Sequence, residues 1–117
     1  MATTRRIPRD QLEAYFDAFS KKFLLDDSRD AADVQVLSPD WGGQYVAEGV
    51  HLSGISYDPH DNALDFVLET GDHRVYQPAE VWAIEERDGF VSTIDIVQLD
   101  GVRHVVTVKK VGLRPVP

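Results

Sequence analysis

The densest group of chemically able side chains in this sequence lies in residues 57–62, which read Tyr57, Asp58, Pro59, His60, Asp61 and Asn62. Asp58, His60 and Asp61 are types that ligate divalent cations, and His51, Asp72 and His73 would join them if neighbouring strands carried them close. The spacing matches neither H-E-x-x-H nor an EF-hand loop, so no metal site is assigned. The same residues are what a tight turn requires. Asp58-Pro59 initiates one, and Asp61 and Asn62 tolerate left-handed backbone. Leu64, Phe66 and Leu68 then alternate with Asp65, Val67 and Glu69, so the segment reads as strand, turn, strand.

Other chemistry has less support. There is no cysteine, which excludes thiolate catalysis, disulfides and cysteine-based zinc sites. Ser53, Ser56 and Ser92 belong to no G-x-S-x-G elbow. Glu85-Glu86 and Asp26-Asp27 read as solvated charges rather than an acid–base pair. Gly42-Gly43 lacks the Lys-Ser/Thr of a phosphate loop. Trp41 beside it is a candidate contact residue, whereas Trp82, flanked by Val81 and Ile84, is expected in the core. The candidate binding residues are therefore Tyr57, Asp58, His60, Asn62 and Trp41, with no catalytic residue and no cofactor assigned.

Several elements must position these residues. Pro8 precedes a helix over about 9–24, with Asp10 as N-cap and Glu13 completing a capping box. Leu12, Tyr15, Phe16, Phe19 and Phe23 form one apolar stripe, which is expected to cover a sheet. Residues 25–33 read as a loop. From there to about residue 109 the period is two. Short strands are expected at 34–36, 64–69, 73–76, 80–85, 91–99 and 102–108. Residues 44–57 read as a strand pair or one bent strand, interrupted by Gly49 and Gly54. Asp100-Gly101 is a two-residue hairpin signal. No helical crossover separates the strands, so the sheet is expected to be antiparallel, ending in a frayed tail over 110–117.

The 117 residues fit a single domain over 1–117, and the hydrophobic fraction of 43% is ordinary for a globular protein. The net charge of −8 is the wrong sign for a phosphate backbone, although Arg103, Lys109, Lys110 and Arg114 cluster near the end of the chain. Residues 1–8 hold two arginines without an apolar run, and no stretch approaches the ~20 apolar residues of a membrane span. The expected location is the cytoplasm.

Two resemblances extend this reading. Thr3-Thr4-Arg5-Arg6-Ile7-Pro8-Arg9-Asp10, Tyr15-Phe16-Asp17-Ala18-Phe19, Gly54-Ile55-Ser56-Tyr57-Asp58-Pro59, Pro78-x-x-Val81-Trp82 and the strand-Asp100-Gly101-strand ending resemble an uncharacterised bacterial family of short stand-alone proteins, a domain of unknown function. That resemblance spans nearly the whole chain and implies no activity or site residue. Residues 54–68 also resemble the first signature of Sm-like RNA-binding proteins, in which a helix caps a small barrel. By that resemblance His60 would stack a base and Asn62 would hydrogen-bond it. Asp61 stands where that pattern has an apolar residue, and no later Arg-Gly pair completes it.

The sequence thus predicts an α+β fold: an N-terminal amphipathic helix packed on a bent antiparallel sheet with small-barrel, Sm- or SH3-like character. The expected role is a non-catalytic binding or self-association module with a protein partner. An Sm-like RNA-binding protein using the 57–62 turn is one alternative, and a small metal-binding protein or enzyme using the same Asp and His residues is another.

Overall fold

A computed structural model describes residues 2–24 and 30–109. One eight-stranded antiparallel sheet, in the order β1-β6-β7-β8-β2-β3-β4-β5, carries a single helix. The strands are β1 Thr3–Arg6, β2 Ala31–Ser38, β3 Gly42–Asp58, β4 Ala63–Leu68, β5 His73–Tyr76, β6 Pro78–Glu85, β7 Val91–Gln98 and β8 Arg103–Lys109. The helix, α1, spans Leu12–Phe23. No helix among the described residues is long and apolar enough to cross a membrane.

The α+β class and the antiparallel pairing agree with the sequence reading, but the small barrel does not. The sheet ends at β1 on one side and β5 on the other and is not closed. A strand also precedes the helix. Thr3–Arg6 is exposed throughout and has no alternation to announce it, yet it pairs with β6 over Thr3↔Glu85 to Arg6↔Trp82. The capping box is absent as well. Asp10 lies inside a 3-10 turn over Arg9–Gln11, and neither that turn nor α1 has a side-chain N-cap. The loop assigned to 25–33 is shorter than expected, because β2 begins at Ala31; residues 25–29 and the 110–117 tail, with Lys110 and Arg114, lie outside the described residues.

The apolar stripe of α1 does cover the sheet. Leu12, Phe16 and Phe19 are buried with Leu52, Leu64, Phe66, Val81, Ile94 and Ile96 in one core. Trp82 lies outside it, half-buried on the other face of β6, with the Arg6 guanidinium 5.9 Å from its ring.

The 17-residue strand β3 organises everything else. Straight, it would span about 53 Å at ~3.3 Å per residue, more than the 49 Å long axis of the protein. It bends, and its register slips opposite Ala32–Val34, at Val34–Gln35 and between Leu52 and Gly54. Gly49 has φ +62 beside the first slip, so the expected glycine bends are present. The first part of β3 pairs with β2 up to His51, and the second part pairs with β4 from Leu52 onward. Each part therefore has one edge without a partner strand. On the β4-paired part, α1 covers that edge: Ser20 Oγ donates to the Ile55 carbonyl at 2.8 Å and accepts from the Ile55 N–H at 3.0 Å.

Replacing Ser20 removes both bonds and strands a half-covered peptide group. Ser20→Ala should cost about 1–3 kcal/mol in urea unfolding. Lys21→Ala, which breaks only the exposed ion pair to Asp17, should stay within about 0.5 kcal/mol.

Candidate functional site

The 57–62 turn joins β3 to β4. Its side chains are occupied in holding it. Asp58 Oδ1 accepts from the N–H of His60 at 2.9 Å and of Asp61 at 3.3 Å, an Asx turn. The Asp61 N–H, then the Arg74 guanidinium and the His60 N–H, hold the Asp58 carboxyl below the usual carboxylate range. Asn62 has φ +49, as its residue type allows, and its Oδ1 accepts from the buried Tyr57 hydroxyl at 2.5 Å. Arg9 Nε, from the 3-10 turn before α1, donates to the same hydroxyl at 3.3 Å.

One cation ties the turn to the neighbouring strands. Arg74 on β5 reaches Asp65 at 2.6 Å, Asp61 at 3.0 Å and Asp58 at 3.3 Å, and lies 5.2 Å from the Tyr76 ring centre. Three carboxylates share one guanidinium, so the local field is negative. His60 is exposed and makes no side-chain bond to the other turn residues.

The structure brings Tyr57, Asp58 and Asn62 together and leaves His60 outside their network. Trp41 is not part of the group. It is 54% exposed in the β2–β3 turn, at the opposite end of β3. The histidines do not converge with Asp58. His51 Nδ1 lies 3.2 Å from the Asp30 carbonyl and His73 Nε2 lies 2.9 Å from His104 Nδ1. Among the described residues no group of three His, Asp or Glu side chains is placed to hold a metal ion.

Sequence reasoning missed four groupings. Arg74 is an ordinary strand residue until β4–β5 pairing sets it opposite Asp65. The Tyr15 hydroxyl bonds Glu85 across 70 residues, at 2.5 Å, and burial followed by that bond raises the phenol well above its ordinary value. The His73–His104 pair had a readable signal: His104 occupies the inward phase of β8 with Val106 and Val108, so a buried histidine is required there. The exposed apolar end of the β2–β3 ribbon, Tyr45 and Val46 beside Trp41, had none, because β-branched and aromatic residues in a strand ordinarily point to a core.

Comparisons with known proteins carry no activity. The model of DUF5335, described as a family of unknown function, matches residues 3–115. An uncharacterized protein of the bacterium Aquifex aeolicus is 38% identical over 109 residues, covering 91% of this chain and 92% of that protein. No solved structure matches.

Within the turn, the internal bonds set the energetic order. Tyr57→Phe leaves Asn62 Oδ1 without its partly buried donor and should cost about 1–3 kcal/mol by chemical denaturation. His60→Ala should change stability by no more than about 0.5 kcal/mol.

Proposed function

Because the chain belongs to DUF5335, a family of unknown function, its role has to be argued from its own surface, and we propose that it is a non-catalytic module of the cytoplasm that self-associates by strand addition at the first residues of β3. One observation carries the reading: of the two edges of β3 left without a partner strand, α1 covers one, and the edge of residues 42–50 pairs with no strand among the described residues. Trp41, Tyr45 and Val46 lie along that end, 54%, 55% and 49% exposed. Unpaired N–H and C=O groups flanked by exposed aromatics form a template for another strand.

Charge favours a second copy as the occupant. The protein carries a net −8, which opposes contact between copies over most of its surface. Residues 41–47 contain no charged side chain, so two copies meet there without placing like charges opposite each other. The register slips beyond Tyr45 twist the edge away, which limits pairing to a few residues and leaves Trp41 and Tyr45 to supply most of the buried area.

The turn at 57–62 supports the alternatives less. A base stacking on His60 would approach the carboxylates of Asp58, Asp61 and Asp65, and Asn62 Oδ1 is already engaged by Tyr57. A cation there would have to displace Arg74 from those same carboxylates.

Gel filtration with light scattering at tens of micromolar tests the proposal. The wild type should run as a dimer, and Tyr45→Asp and Trp41→Ala should run as monomers with unchanged far-UV circular dichroism and a melting temperature that no longer depends on concentration. A wild type that stays monomeric across that range overturns the reading.

A further inference from the structure

We infer that His73 and His104 form a pH-operated latch that holds the edge strand β5 against the β7–β8 hairpin. β5 has four residues and one ladder neighbour, β4. Besides that ladder and the Arg74 ion pairs, a circuit of side-chain bonds ties it to the β7–β8 hairpin. His73 Nε2 lies 2.9 Å from His104 Nδ1, His104 Nε2 lies 2.8 Å from Gln98 Oε1, and Gln98 Nε2 donates to the Tyr76 carbonyl at 2.8 Å. The circuit leaves β5 at His73, crosses β8 and β7, and returns to β5 at Tyr76.

With that amide orientation only one proton arrangement satisfies the circuit. The Gln98 carbonyl oxygen accepts, so His104 Nε2 donates. The neutral His104 ring then accepts at Nδ1, and His73 Nε2 is the donor. A proton added to His104 Nδ1 forces His73 to move its own proton to Nδ1 and places a cation at a position only 7% exposed.

The surroundings offer that cation little. Val36 of β2 and Ile96 of β7 are its cross-strand neighbours, and Phe66 of β4 packs against His73 with ring centres 6.4 Å apart. Of the nearby charged groups, Arg74 is turned to Asp58, Asp61 and Asp65, Arg103 is paired with Asp95, and Asp72 lies in the exposed turn before His73. Asp100 favours the charged His104 but is outweighed: burial, then the proximity of His73, pushes His104 down to about 4, and burial lowers His73 as well. Both folded values lie below the ordinary histidine value of 6.5. The latch therefore contributes fully above that value and is lost as pH falls from 6.5 toward 4. His73 also lines a cleft with Val46 and Ala47, beside the free edge of β3, although the latch does not depend on the role proposed for that edge.

Amide hydrogen exchange on the whole chain, corrected for the intrinsic pH dependence of exchange, reads the latch. If opening β5 frees His104 to titrate at 6.5 rather than about 4, opening of residues 74–76 becomes up to about 20-fold easier at pH 5 than at pH 7. Protection in the centre of β7 should change much less. His104→Gln keeps a donor and an acceptor but cannot titrate, and should reduce the pH effect to a few-fold. Independently of any variant, the wild-type His104 ring signals should titrate near 4, in the same step as the β5 amide signals. A His104 that titrates near 6.5, or β5 protection that is equal at the two pH values, overturns the latch.

Discussion

The demand that every backbone N–H and C=O of β3 find a partner shapes this protein more than any other constraint. One strand too long for either half of the sheet serves both, trading β2 for β4 between His51 and Leu52. The exchange leaves two unpaired stretches of edge on opposite sides. Ser20 reaches from α1 to one of them, so the helix both seals the core with Phe16 and Phe19 and satisfies Ile55 with a hydroxyl. Buried peptide groups are almost always paired, which is why a serine occurs on the otherwise apolar, sheet-facing side of this amphipathic helix.

The other end of the sheet is governed by the corner at Gln77. A single residue with φ +50 connects β5 to β6, although those two strands lie far apart in the sheet order. The sheet must curl for so short a link, and the β7–β8 hairpin then meets β5: Leu99 N–H donates to the Gln77 carbonyl at 3.3 Å and Gln98 to Tyr76. The curl gives the bent character without barrel closure, since side chains rather than a ladder join β5 to its new neighbours. Pro78 suits this arrangement because it opens β6, where a missing N–H is tolerated.

Local physics was legible in the sequence and long-range pairing was not. The helix stripe, the β4 alternation, the Asp100-Gly101 hairpin and the bends at Gly49 and Gly54 each depend on a few neighbouring residues. β1 is stabilised by β6, roughly 80 positions away, through Arg6 on Trp82 and Arg5 beside Glu85, so Thr3–Arg6 contains no internal period to detect. The turn shows the same division. Tyr57, Asp58 and Asn62 were legible as turn residues because their bonds stay within five positions. The pairing of Arg74 with Asp58, Asp61 and Asp65, and of His73 with His104, was created by folding.

That division separates the parts of the surface that are internally satisfied from the part that is not. Asp58, Asp61 and Asp65 are neutralised in part by Arg74, Tyr57 is bonded to Asn62, and Glu85 accepts from Tyr15. Groups whose hydrogen bonds are already made gain little from a ligand, since binding must first break what folding made. Residues 42–46 are in the opposite condition: their outer backbone edge pairs with no strand among the described residues, and Tyr45 and Val46 are about half exposed. The association proposed for that end of β3 would add hydrogen bonds and bury apolar surface without dismantling an existing network.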